Sequence, residues 1–259
     1  MFDLSNKTIL VAGGAGYLGS QLCEAILSYN GDLCIADIDQ EKTNFLKKLL
    51  STKFPNRNIF STNLDIKDES SILDCVNKTH QHFNNINGLV NATFGSTGKT
   101  LEELTSKEFN DANEINLTGS FILSRHVIKK MKEGGSVIMF ASMYGIVSPK
   151  PNLYPDGINP NPIEYGAGKA GLIQLTKYLA SHYGNKNVRV NAIAPGPFPD
   201  LNKNDNNNQE FLNNLRDSTM LKRLGESREI SGPIIFLLSN ASSYITGQVL
   251  KVDGGWTSW

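Results

Sequence analysis

Short apolar runs alternate with longer amphipathic stretches along this chain. The runs fall at residues 7–13 (KTILVAG), 32–37 (DLCIAD), 58–65 (NIFSTNLD), 86–92 (INGLVNA), 135–142 (GSVIMFAS), 188–195 (VRVNAIAP) and 247–255 (GQVLKVDGG). They are short and rich in Val and Ile, as strands buried on both faces tend to be. Helical periodicity occupies residues 17–29, 39–53, 68–84, 105–132, 163–183 and 227–239 between them. Such alternation predicts one α/β domain spanning 1–259, with a seven-stranded, mostly parallel sheet and helices on both faces, the Rossmann arrangement. No internal repeat is present.

Two stretches break the rhythm. Residues 148–163 (SPKPNLYPDGINPNPI) are proline-rich and carry no helical period. Residues 197–210 (PFPDLNKNDNNNQE) are rich in Asn and polar, a composition that builds no core. The second follows a strand directly, at the carboxyl edge of the expected sheet, where ligands bind in this architecture. Loops 148–163 and 197–216 are therefore expected to line a substrate site.

Composition narrows the partners. The chain has 259 residues and balances 25 basic against 25 acidic side chains, so nothing marks it for nucleic acid or an anionic membrane. No run approaches the roughly 20 apolar residues of a membrane span. The N-terminus lacks a basic, apolar leader, and Cys23, Cys34 and Cys75 have no metal or redox spacing. Buried free thiols in a cytoplasmic protein with a small-molecule substrate are expected, with no metal.

The first run leads straight into GGAGYLGS, in which Gly13, Gly16 and Gly19 are evenly spaced between a strand and a helix. Glycines there let the backbone turn sharply and approach a diphosphate, and the amides of the helix beginning at Tyr17 and Leu18 face that anion. The second run ends in Asp37. A carboxylate at that place accepts hydrogen bonds from ribose hydroxyls and repels a 2′-phosphate, which favours NAD over NADP. Asp65, closing the third run, is placed to meet an adenine amino group; a lone Asp there also suits a helix cap.

Tyr165 and Lys169, in EYGAGKAG, lie four residues apart and share a helix face. A phenol with a pKa of about 10 needs about 4 kcal/mol to titrate ~3 units lower. A positive charge ~4 Å away supplies about that much at an effective dielectric near 20. The pair is sized for proton exchange with a substrate hydroxyl or carbonyl.

With these residues in place, the chain resembles a short-chain dehydrogenase/reductase over nearly its whole length. The resemblance rests on the glycine loop, NAT at 91–93, NLTG at 116–119, Ser142 in FASMYG, YGAGK at 165–169, PGP at 195–197 and the closing ITGQVLKVDGG. It implies Tyr165 as catalytic acid/base and Lys169 as the residue that lowers its pKa and binds the nicotinamide ribose. Ser142 would polarise the substrate oxygen, and Asn116 would hold a water linking Lys169 to solvent. Asn91 and Ala92 would border the cofactor, as would Ile66 beside Asp65. Pro195, Gly196 and the backbone near Phe198 would flank the nicotinamide. Family habit further implies a homodimer or homotetramer, joined through helices near 105–132 and 163–183. Trp256 and Trp259 are expected at a subunit contact.

The pattern also departs from the single-domain branch. Ala12 and Tyr17 stand where a threonine and a glycine are usual, and the glycine spacing and the long gap between Ser142 and Tyr165 resemble the extended branch of epimerases and dehydratases. The chain nevertheless closes on VDGG without that branch's extra substrate domain. After PGP, Asp200 sits about where a threonine usually contacts the cofactor pyrophosphate. The long loop and MYG segment are similar to members serving bacterial surface-sugar and flagellin-glycan pathways, which implies a sugar-like substrate. An epimerase or dehydratase that recycles its NAD, and a non-catalytic NAD-binding module, are the competing readings.

Overall fold

A computed structural model describes residues 1–201 and 208–259. The part of the expected substrate loop at 202–207 lies outside the described residues.

The apolar runs form β1 (Thr8–Ala12), β2 (Asp32–Asp37), β3 (Ile59–Asn63), β4 (Gly88–Asn91), β5 (Gly135–Phe140), β6 (Val188–Pro195) and β7 (Val249–Val252). They pair in the order β3-β2-β1-β4-β5-β6-β7, and every pair is parallel. The order reverses between β1 and β4, which opens a crevice at their carboxyl ends. Adjacent residues of each strand face opposite layers, as the pleat requires. Leu10, Leu89 and Val137 meet Ile72 and Leu123 on one side. Ile9, Val11, Val90 and Ile138 meet Leu22, Ile26 and Ile234 on the other. Each such fully buried side chain contributes ~1.5–3 kcal/mol, which fixes the register.

The helices are α1 (Tyr17–Ser28), α2 (Gln40–Lys53), α3 (Glu69–Phe83), α4 (Ser106–Asn113), α5 (Ser120–Ile128), α6 (Ile163–Tyr183), α7 (Gln209–Asp217) and α8 (Ser231–Leu238). Three differ from the periodic pattern. The single stretch expected over 105–132 is divided by a π-helical turn, Glu114–Gly119, between α4 and α5. The cause is tertiary: Asn116 turns its amide onto Gly95, and α6 crosses the turn so closely that a Cβ on Gly168 would meet Asn113 Oδ1 at 2.7 Å and Asn116 Cβ at 2.9 Å. The stretch 227–239 opens with a 3-10 turn, Ser227–Ile230, before α8. The polar segment after β6 runs into α7, a helix not among the expected ones, whose Leu212 and Leu215 are buried just beyond that segment.

A small third core sits above the sheet's carboxyl edge. Leu153 and Tyr154 of the proline-rich loop, Phe211 and Leu215 of α7, Met143, Tyr144 and Trp256 pack together there. Trp256 is buried in its own chain, edge-on to Tyr144 at 6.5 Å. The subunit-contact role expected of it does not hold, because closing the DGG turn after β7 brings it inward.

Candidate active site

The glycine loop is shaped by its neighbours. Gly13 has φ +74°, and a Cβ there would come within 2.9 Å of the Ala92 carbonyl group. Gly16 begins α1 with no side-chain cap, leaving the first-turn amides at Tyr17 and Leu18 without a side-chain acceptor. Gly19 lies over the Gly13 carbonyl, too close for any side chain. Asp37 Oδ2 accepts from the Ala15 amide at 3.0 Å and Oδ1 from the Asp39 amide at 3.1 Å, so it braces the loop from the end of β2. Beside the loop lies a cleft of 320 Å³ bordered by Gly13, Gly16, Asp37, Asp65, Ile66 and Ala92. A backbone cradle that admits no Cβ, free helix amides for an anion, and a carboxylate one strand over fit the adenosine diphosphate half of a dinucleotide.

The other predicted residues gather around the ends of β4, β5 and β6. Asn91 donates to Ser120 Oγ at 2.8 Å and accepts from Thr93, fixing the turn out of β4. Asn116 is fully buried, with Nδ2 donating to the Gly95 carbonyl at 2.7 Å and Oδ1 accepting from the Gly95 amide at 3.1 Å. Its side chain thus anchors a loop. Asp65 accepts from the Lys67 amide at 2.9 Å. At the end of β6, Gly196 donates to the Val252 carbonyl at 2.9 Å, and the Phe198 ring packs under Gly225.

Ser142, just past β5, accepts from the Tyr144 amide at 3.1 Å, and its hydroxyl lies near the Tyr165 phenol. Tyr165 and Lys169 occupy the first turns of α6. Lys169 is buried, donating to the Phe140 carbonyl at 2.8 Å and the Thr93 carbonyl at 3.4 Å, and its Nζ stands 5.6 Å from the Tyr165 ring centre. Burial pushes its pKa down to about 7. Burial also raises the Tyr165 phenol above its ordinary value, with the Ser142 hydroxyl acting the other way. Neither group shifts the other in the protein alone: Lys169 spends its hydrogen bonds on main-chain carbonyls, and burial sets both values.

Several neighbours escaped the sequence reading. Glu164 stands in the same quoted stretch, but nothing in its spacing marks it. Gly95 takes part through main-chain atoms, which no side-chain pattern reveals, and Thr93, though within NAT, meets Lys169 through its carbonyl. Tyr144 and Tyr154 share a hydrogen bond of 2.7 Å between their hydroxyls; the pairing depends on how loop 148–163 folds back. Among the described residues no helix is long and apolar enough to cross a membrane.

Fold and cleft together define a Rossmann protein built for a dinucleotide. Comparison with known proteins makes the class narrower. The family profile described as enoyl-(acyl carrier protein) reductase matches residues 14–257. The chain is 31% identical to the post-translational flagellin modification protein A of Campylobacter coli, over 98% of this chain and 99% of that one. It is 33% identical to 7alpha-hydroxysteroid dehydrogenase of Bacteroides fragilis, over 99% and 96%. It is 30% identical to NADH-dependent L-xylulose reductase of Ambrosiozyma monospora, over 100% and 97%. The chain belongs to the short-chain dehydrogenase/reductase family, which binds a nicotinamide cofactor, and those relatives are dehydrogenases or reductases where their names state an activity.

Proposed function

We propose that this protein is an NAD(H)-dependent oxidoreductase acting on an alcohol or ketone group of a polyhydroxylated, sugar-like substrate. The observation that carries the reading is the convergence of Ser142, Tyr165 and buried Lys169 at the carboxyl edge of the sheet, beside the glycine cradle.

In this reading the nicotinamide, when bound, supplies the hydride acceptor or donor. Tyr165 exchanges a proton with the substrate oxygen: its phenolate takes the hydroxyl proton in oxidation, and its phenol returns one in reduction. Ser142 holds that oxygen by hydrogen bonding, and Lys169 binds ribose hydroxyls while its charge favours the phenolate. Asn116 positions the loop after β4, and a water relay from Lys169 would run past it.

Asp37 supports NAD over NADP. Its carboxylate stands at the cleft where a 2′-phosphate would enter, and the nearby cations are already paired: Lys42 with Asp39 at 2.6 Å and Lys67 with Glu114 at 3.5 Å. The word NADH in the name of the xylulose reductase agrees. For the substrate, support comes from the hydroxyl-bearing rim of loop 148–163, where Tyr144 and Tyr154 meet, and from the sugar in that same relative's name. Many substrate hydroxyls require many polar partners.

Tyr165→Phe tests the assignment. It should keep nucleotide binding and lose turnover by roughly 10²–10⁴-fold, the usual worth of a positioned acid–base group. Near-normal turnover would falsify the role of Tyr165. A panel of polyols, nucleotide sugars, hydrophobic alcohols and steroids, followed at the NADH absorbance band, tests the substrate class. Turnover of steroids alone would count against a sugar. Product formation without net NADH change would favour the recycling epimerase or dehydratase.

A further inference from the structure

Glu164 immediately precedes Tyr165 and is completely buried in the first turn of α6. Its Oε1 accepts from both the Thr97 amide, at 3.0 Å, and the Thr97 hydroxyl, at 2.8 Å. Its Oε2 is buried with no hydrogen-bond partner. A carboxylate in that position is costly, since a charge leaves water and one oxygen remains idle. An apolar side chain would fill the space without that cost, so packing does not account for it. An acid in the first turn of a helix does favour the helix dipole, but that effect needs neither burial nor a partner on a distant loop.

The partner is what gives Glu164 meaning. The loop after β4 is held at alternate residues by the groups of the proposed site. Lys169 holds the Thr93 carbonyl, Asn116 holds both main-chain groups of Gly95, and Glu164 holds Thr97. Two of these three anchors come from α6, on either side of Tyr165 in sequence. Releasing Thr97 would detach the loop from the start of α6 and leave Asn116 on Gly95 and Asn159 on Gly98 as its nearest anchors, so the turn carrying Tyr165 would lose its tie to the loop whose Thr93 carbonyl receives Lys169.

We propose that Glu164 is a positioning residue for the Tyr165–Lys169 pair, latching the loop of residues 93–97 to α6 through Thr97. The proposal rests on the reading of Tyr165 given above and adds to it a residue that touches neither substrate nor cofactor.

The test compares Glu164→Ala, Glu164→Gln and Tyr165→Phe. Three quantities are followed: kcat, nucleotide Kd by fluorescence titration, and amide hydrogen exchange over residues 93–99. A displacement of about 1 Å at a reacting centre costs on the order of 10²-fold. Glu164→Ala should therefore lower kcat by about 10²-fold, speed exchange at 93–99, and weaken nucleotide Kd far less, by at most about tenfold through the Lys169 contact to the ribose. Glu164→Gln, whose amide oxygen can still accept from Thr97, should recover most of the loss. Normal kcat in Glu164→Ala with a dead Tyr165→Phe overturns the latch while sparing the reading of the site. Activity in Tyr165→Phe removes that reading itself. Loss of nucleotide binding in parallel with kcat, or a Gln variant as impaired as Ala, also overturns the latch. Should Glu164→Ala not fold, Thr97→Val keeps the buried carboxylate and one of its two bonds. Slower turnover with faster loop exchange then supports the latch, and unchanged turnover overturns it.

Discussion

Lys169 should cost this protein less stability in mild alkali than at neutral pH. Its ammonium is buried among main-chain carbonyls, and its pKa falls from 10.5 to about 7. At ~1.4 kcal/mol per unit, the full difference is roughly 5 kcal/mol. The unfolded chain keeps the proton up to pH 10.5, whereas the folded chain releases it near 7. Between those values the unfolded state binds more protons, so stability rises with pH. Below 7 the cost is fully present and flat. The buried thiols act the other way: burial pushes Cys34 up to about 12 and raises Cys23 and Cys75 as well, so from about pH 8 only the unfolded chain ionises them, which offsets about 1–2 kcal/mol by pH 9. Over pH 7–9 the lysine itself contributes a gain of about 2 kcal/mol. Urea denaturation at pH 7, 8 and 9, without nucleotide, isolates that gain when two proteins that share the thiols are compared. The perturbation is Lys169→Met, which keeps the length and removes the charge. The stability difference between variant and wild type should shrink by about 2 kcal/mol from pH 7 to 9. A difference that stays constant across the window would show that Lys169 is not desolvated as the structure has it, and the argument for its tuned charge would go with it.

Three further outcomes are expected. Asp37→Ala removes the proposed ribose acceptor together with the brace on the Ala15 amide; at ~1.5–3 kcal/mol for hydrogen bonds to a charged group, NAD affinity should fall about 10–100-fold, and an unchanged Kd by titration contradicts the cofactor placement. Trp256→Ala opens a cavity in the small core that ties loop 148–163 to α7, where aromatic truncation costs about 3–5 kcal/mol when fully felt. Limited proteolysis should then cut within 148–163 first, and resistance equal to wild type would mean that Trp256 does not hold that loop. Light scattering is expected to give a dimer or tetramer, with Phe121 and Tyr178 exposed on α5 and α6 as surface to be covered; a monomer at working concentration rules out the assembly.

The parallel sheet was legible because fully buried strands are continuous apolar runs, and the crossover helices declare themselves by a different period. The glycine loop and Asp37 were legible for a related reason: each works through chain geometry next to its own strand, so local context is most of the information. The break inside 105–132 was not, since apolar spacing shifts little across a single π turn while its cause, Gly95 and α6, lies far along the chain. Nor was α7, hidden behind a run of asparagines whose composition outweighed two well-spaced leucines.

The sequence by itself determined the strand and helix alternation, the glycine turn between β1 and α1 and the presence of a Ser, a Tyr and a Lys in an order that fits one chemistry. Only the tertiary structure decided how those groups are charged and held. Burial moved the pKa of the Lys169 ammonium down and that of the Tyr165 phenol up, and the loop after β4 became a common anchor for Asn116, Glu164 and Lys169. Local pattern is written residue by residue, but solvation and long-range hydrogen bonds exist only once distant segments have excluded water from one another.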